Sequence, residues 1–309
     1  MRHSLLFLLT AVTTTIAGIS QVIPTLEPDL PAPSSVAGWL LFIPQFYLQT
    51  VKNDLTFAIL NPQVIRQGLT FSGALLTILL AHEMGHYIAC RRYGVRATLP
   101  FFIPAPPPFI PGTFGAFIKI KAPIPTRRAL FDIGLAGPLA GFLVLLPIAA
   151  VGILSMGPPQ SPTGHEIFFN DPLLLRLLGR LLGVRLDPYS PTNPCYMAAW
   201  IGLLVTSLNL MPVGQLDGGH GTFALFGLRA HQLIGRLAFV TMAALAILGW
   251  FWHSSPSGFL YTVLLAVMLW VGHPQPQVME PLGTKRIWIA ILTLVVFVLS
   301  FWPFPITIT

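Results

Sequence analysis

Hydrophobic positions in this chain fall into long unbroken blocks, not into the alternation of a half-buried strand or the one-sided stripe of a soluble helix. Blocks at 4–22, 68–90, 129–154, 196–213, 231–252, 258–272 and 287–303 each approach the roughly 20 residues that cross a bilayer as a helix. The pattern predicts an all-α polytopic membrane protein of about seven spans. Two shorter apolar segments read as interfacial or re-entrant. One is 36–49, flanked by Pro31, Pro33 and Pro44, and the other is 173–183, where Arg176 and Arg180 interrupt a leucine-rich run. The first block follows Met1-Arg2-His3 and has no convincing small-x-small cleavage site, so it reads as a retained span and not as a signal peptide.

The segment 100–128 breaks this regime. Pro100, Pro104, Pro106, Pro107, Pro108 and Pro111 exclude a regular helix, and 114–121 (Phe114 to Lys121) becomes apolar with late alternation, which predicts a short strand or hairpin. Apolar, non-helical backbone beside a span must be buried in protein or line a cavity. The loop is therefore expected to dip back toward the bilayer. No internal repeat or long linker appears, and no gap between blocks is long enough for an ordinary soluble domain. Residues 1–309 read as one integral membrane domain, with a core at about 68–220 and accessory spans at about 4–22 and 231–303.

Composition agrees with the pattern. The chain is 54% hydrophobic and 9% charged, against about 25% charged in soluble domains. A net charge of +7 would suggest a nucleic-acid partner in a soluble protein, but here the basic residues gather in particular loops. With a cytoplasmic N-terminus, the inside segments carry eleven Lys and Arg against five outside. This bias predicts N-terminus in and C-terminus out, a bilayer as the surroundings and no nucleic acid. Two cysteines are too few for a disulfide framework. No residue sets an oligomeric state.

The chemistry is concentrated in His82-Glu83-Met84-Gly85-His86. On a helix, residues i and i+4 share a face. Two imidazoles so placed can hold one zinc ion, and the adjacent glutamate can serve as general base to a water that zinc acidifies toward a pKa of about 7. With eight histidines in 309 residues and four glutamates, chance yields roughly 0.003 such motifs. Polar groups of this kind are costly inside a span unless they serve a metal or a polar network.

A catalytic zinc site normally has three protein ligands and an open position. Asp217, in the segment 209–220 that follows block 196–213, is the candidate third ligand. The predicted topology runs both blocks inward, so His86 and Asp217 are expected at similar depth. His220, one turn beyond Asp217, is the rival ligand. His3, His165, His231, His253 and His273 read as interfacial residues. Asp132 reads as the partner of Arg127 or Arg128 in an ion pair that eases its entry into the membrane.

Together, His82-Glu83-x-x-His86 within a span, Asn209-x-x-Pro212 and Leu216-Asp217-Gly218-Gly219 resemble the site-2 protease family of intramembrane zinc metallopeptidases. Gly137 and Gly141 are similar to that family's Gly-x-x-x-(Asn/Ser/Gly) element. The resemblance covers roughly 68–220. It implies that His82, His86 and Asp217 bind one Zn2+, that Glu83 is the catalytic base, and that Asn209 assists the oxyanion or the substrate backbone. It also implies a re-entrant β element between the first two core spans. No loop here can house the PDZ domain that many bacterial members carry, so the chain looks like the PDZ-less branch. That branch implies a bacterial cell membrane first and a plastid membrane second.

The expected activity is hydrolysis of membrane-anchored proteins near the cytoplasmic side. A substrate helix must unwind locally before water can reach its peptide bonds, and Phe114, Gly115, Ala116, Phe117 and Ile118 form a candidate strand to pair with the extended stretch. The rival readings are a membrane zinc transporter or sensor, and a catalytically dead scaffold. Glu83 beside the first of two i,i+4 histidines, with no second metal cluster in the sequence, favours the protease.

Overall fold

A computed structural model of the chain describes residues 2–23, 33, 35–106, 109–159, 161, 167–271 and 276–308, the side chains of 36 and 37 excepted. Pro107, Pro108, His165 and His273 lie outside the described residues. Among those described, nine helices account for most of the chain: α1 (Arg2–Ser20), α2 (Val36–Leu60), α3 (Pro62–Arg92), α4 (Arg127–Leu154), α5 (Leu173–Leu181), α6 (Pro194–Asn209), α7 (Asp217–His253), α8 (Ser257–Val271) and α9 (Thr284–Ser300). Two small antiparallel sheets complete the fold, β1 (Phe101–Pro104) with β2 (Thr113–Phe117), and β3 (Ile167–Phe169) with β4 (Ile306–Ile308).

All seven apolar blocks are helical over most of their length, but among the described residues only α1, α3, α4 and α7 are long and apolar enough to cross a membrane by those measures alone. The expected span at 196–213 stops at Asn209, and 210–216 turn sharply. The stretch between the apolar blocks 196–213 and 231–252 is helical from Asp217. Gly227, at φ 80° and ψ 177°, breaks α7 into two helical stretches. The segment 36–49 is part of a helix running on to Leu60. Lys52, Asn53 and Asp54 end the hydrophobic pattern there but not the helix, because the Ser20 hydroxyl donates to the Asp54 carboxylate. As the sequence predicts, α5 is too short to cross.

The core is built where α3 and α4 pack along their lengths, with α6 against both and α1 along the first half of α3. Phe71, Leu75, Phe131, Leu145, Ile153 and Leu203 are fully buried among these helices. Small residues bring the backbones together. A Cβ on Gly85 would meet the Ala136 carbonyl oxygen at 2.4 Å. Thr14 and Ser72 hydroxyls bond at 2.6 Å across α1 and α3, each satisfied without water, as a low-dielectric interior requires.

The proline-rich segment packs back along α1. His3 Nδ1 lies 3.2 Å from the Pro100 carbonyl oxygen, Thr13 Oγ1 donates to Gly112 O at 2.7 Å, and Gln21 Nε2 donates to Ile110 O at 2.9 Å. The first and last contacts are about 18 residues apart on α1, or about 27 Å at 1.5 Å per residue. The hairpin segment therefore contacts α1 along nearly its whole length. Its strands pair Phe101 with Phe117, Phe102 with Ala116 and Pro104 with Thr113. Beyond β2 the pairing continues, through Thr98 N to Lys119 O at 3.0 Å and Lys121 N to Arg96 O at 2.7 Å.

The chain's ends lie at opposite ends of the bundle. His3 meets Pro100 just beyond the C-terminal end of α3. Strand β4 pairs with β3, and Asn170 beside β3 receives the indole N–H of Trp200 near the start of α6.

Candidate metal centre

The three sequence-predicted ligands converge. His82 and His86 lie one turn apart near the end of α3, and Asp217 opens α7. His82 Nε2 and His86 Nε2 are 3.1 Å apart, and Asp217 Oδ2 lies 3.2 Å from the first and 3.4 Å from the second. A tetrahedral ion with ligands at about 2.0–2.1 Å needs ligand-to-ligand edges of about 3.3 Å. The triangle thus fits one zinc-sized ion. Both histidines are buried and Asp217 nearly so. This trio is the candidate metal-binding group among the described residues. His220 is outside it, packed with its Cβ against Gly134.

The surroundings hold the ligands in place. His86 Nδ1 lies 2.7 Å from the Ile133 carbonyl oxygen. Since a carbonyl only accepts, Nδ1 carries the proton, and Nε2 faces the centre with its lone pair free. A Cβ on Gly137 would stand 2.1 Å from His86 Nε2, and one on Gly141 would stand 3.1 Å from His82 Cβ. The glycines of α4 are therefore the space the imidazoles occupy. At the other wall, Cβ atoms on Gly218 and Gly219 would strike the Leu210 and Gly214 carbonyl oxygens at 1.9 and 2.3 Å. Only glycine after Asp217 lets α7 start tightly against the 210–216 turn, and that contact aims the carboxylate at α3.

Glu83 is buried, and its carboxylate meets the backbone amide of Ile118, directly after β2. Asn209 ends α6 with Nδ2 3.4 Å from His82 Nε2. Of the strand residues proposed to meet substrate, Phe114 and Phe117 are exposed, while Gly115, Ala116 and Ile118 are half-buried. Among the described residues, β2 is bonded to β1 on one side only.

The expected Asp132 pairing is different in the structure. Its partners are Arg286 of α9, with Nε and Nη2 donating at 2.8 and 2.6 Å, and the Tyr93 hydroxyl. Arg127 instead donates to the carbonyl oxygens of Ala224 and Leu225. These carbonyls close the first stretch of α7, before the Gly227 break, where helical acceptors run out of partners. Arg128 pairs with Glu280 at 3.6 Å. The Ile133 carbonyl, the Gly134 seat for His220 and the Arg286 link are features the sequence reading misses. The first is a backbone atom, and the other two depend on which helices become neighbours.

Helices of membrane-crossing length around a buried two-histidine, one-carboxylate candidate metal site are the features of a membrane protein of the metallopeptidase type. Residues 70–249 match the sequence profile of Peptidase family M50, more than half of the chain, and the chain belongs to this family, that of the site-2 proteases. Among its relatives is "Probable zinc metalloprotease EGY2, chloroplastic" of Arabidopsis thaliana, 31% identical over 94% of this chain and 53% of the relative. "Probable zinc metalloprotease EGY1, chloroplastic" is 37% identical in Oryza sativa subsp. japonica, over 55% of this chain and 32% of the relative. Its Arabidopsis thaliana counterpart is 34% identical over 59% and 34%. The chain thus spans about half the length of the first relative and about a third of the other two.

Proposed function

We propose that the chain is a zinc metallopeptidase that hydrolyses peptide bonds of membrane-anchored proteins within the bilayer. The buried triangle of His82, His86 and Asp217, with Glu83 adjacent to His82, carries this reading. The names of the relatives support the metal and the activity.

Zinc held by these three residues would supply a Lewis acid for the scissile carbonyl and acidify water at the open position. Glu83 accepts the proton of the attacking water and delivers it to the amide nitrogen as the C–N bond breaks. Asn209 Nδ2 donates toward the developing oxyanion. His86, pinned through Nδ1 by Ile133, keeps its lone pair directed inward throughout. The unpaired edge of β2 receives an unwound substrate segment by strand addition, and the contact of Ile118 with Glu83 leads that segment to the base.

The crossing count we propose treats α6 and the first stretch of α7 as one crossing interrupted at 210–216. Broken helices are tolerated at membrane depth where they line a cavity. With α1, α3, α4, the rest of α7, α8 and α9 this gives about seven crossings, the N-terminus on the cytoplasmic or stromal side. The relatives' names support a plastid membrane and lend nothing to the bacterial cell membrane that the sequence resemblance put first. A transport role would need further ligands along a path, and among the described residues one group of this kind is found.

The test is Glu83→Gln in the full chain reconstituted with a single-span substrate. Cleavage is lost while zinc content stays at one per chain. Retained cleavage would refute the role of Glu83 as base.

A further inference from the structure

Well away from the metal centre, the structure has a second pocket that the proteolytic reading does not use. A cavity of about 680 Å³ opens between β3, α5, the 184–189 loop and β4, lined by Asn170, Asp171, Arg176, Arg180, Arg185 and Tyr189 among others. Tyr196, bonded to Asp171, and Asn209, beside His82, are 13 positions apart on α6. The cavity therefore lies about 20 Å from the metal site along the bundle. Its size is that of a small-molecule pocket, about 300–1,000 Å³.

Its charge is unbalanced. Among the described residues none of Arg176, Arg180 and Arg185 makes an ion pair. The Arg176 guanidinium carbon stands over the Trp302 ring, 4.2 Å from its centre, a cation–π contact that helps hold the group in place. Arg176 and Arg180 stand one turn apart on α5, a like-charge spacing that destabilises a helix unless an anion sits between. Among the described residues, Asp171 is the one acidic residue lining the cavity. The Tyr196 hydroxyl donates to one of its carboxylate oxygens and Arg176 lies close enough to act on its charge, while burial pushes its pKa up, so a single half-engaged acid faces three arginines. These arginines also lie in the segment that charge bias assigns to the outer side, where basic residues are disfavoured.

The other flank of α5 indicates the occupant. Leu173, Leu177 and Leu181 are exposed at i, i+4 and i+8, while Leu174, Leu175 and Gly179 pack inward. A nine-residue helix with an apolar outer flank beside arginines lies in the membrane interface, its basic groups at headgroup level. We propose that this pocket binds the phosphate or sulfonate headgroup of an anionic lipid in the leaflet opposite the metal centre, anchored by Arg176, Arg180 and Arg185.

The test uses the full-length protein in detergent, with dioctanoyl phosphatidylglycerol, dioctanoyl phosphatidylcholine and inorganic phosphate added in separate arms. Binding is read by native mass spectrometry and thermal shift. Phosphatidylglycerol binds and raises Tm; phosphatidylcholine does not. R180Q/R185Q weakens binding about tenfold or more, the weight of a lost charge-assisted hydrogen bond. K52Q/R66Q, which removes two charges at the same end of the bundle, leaves it unchanged. Far-UV circular dichroism and gel filtration check that both variants fold. Saturation by millimolar inorganic phosphate without preference for the lipid assigns the site to a free phosphate and overturns the lipid assignment. Equal affinity of R180Q/R185Q and wild type, or equal losses in both variants, overturns the site altogether.

Discussion

Gly137→Ala places one methyl group where the structure has His86. The added Cβ would stand 2.1 Å from Nε2, 2.4 Å from Cδ2 and 2.5 Å from Cε1. Ordinary contact begins near 3.4 Å, so the ring must withdraw by about 1.3 Å. It is not free to do so, because its Nδ1 is held by the Ile133 carbonyl at 2.7 Å. Zinc sites tolerate ligand displacements of about 0.2 Å, so His86 is lost as a ligand. Altering a supporting group alone costs about 10–100-fold in metal affinity, and the loss of a direct ligand should exceed the upper end. Helix propensity works the other way, since Ala is favoured over Gly by up to about 1 kcal/mol inside a helix. A drop in metal affinity therefore cannot come from weakened helix formation. Gly73→Ala is the control: it adds the same methyl on α3, with no atom within 4 Å. The assay is competitive zinc titration against a chelating dye in detergent, with bound zinc measured after gel filtration. G137A should bind zinc at least about 100-fold more weakly and lose cleavage, with G73A like wild type. Unchanged zinc affinity in G137A would show that His86 does not hold the metal from its observed position.

Asn209→Ala should retain zinc and lower kcat about 10²–10³-fold, the usual cost of an oxyanion donor; an unchanged kcat removes Asn209 from the chemistry. Asp217→Asn should lose zinc without unfolding the chain, since the contacts of Gly218 and Gly219 with the 210–214 turn remain; full metal occupancy in this variant would break the proposed ligand set. Arg286→Leu leaves Asp132 and the Tyr93 hydroxyl without their guanidinium. It should lower stability by about 1.5–3 kcal/mol, and the double variant with Asp132→Asn should recover part of that loss. Additive losses in denaturant titrations would mean that α9 is not held through this pair.

Much of the site was legible from residue type and spacing. His82 and His86 had to share a face because the helix repeat puts i and i+4 there, and hydrophobicity alone placed that helix in a membrane. Asp217 followed because it is the acid after the next inward block. The fold of 100–128 was also legible in outline, since its prolines forbid a helix and its apolar residues forbid open solvent. Local pattern failed where polar residues interrupt an apolar run that tertiary contacts keep helical. Asp54, bonded to Ser20, lies inside α2 for this reason. The 217–226 stretch falls between two apolar blocks, yet Gly218 and Gly219 allow it to pack as a helix on the preceding turn.

The sequence by itself determined the class of protein, the helix that presents the histidines and the candidate for a third ligand, because each follows from periodicity, length and side-chain chemistry within one segment. Only the tertiary structure decided that Asp217 comes within 3.4 Å of both imidazoles, that α4 leaves a glycine-sized hollow for His86, and that Asp132 pairs with Arg286 over a separation of 154 residues. Those outcomes depend on how closely separate helices approach, and the approach is set by small residues and carbonyl positions on surfaces that meet only after the chain has folded.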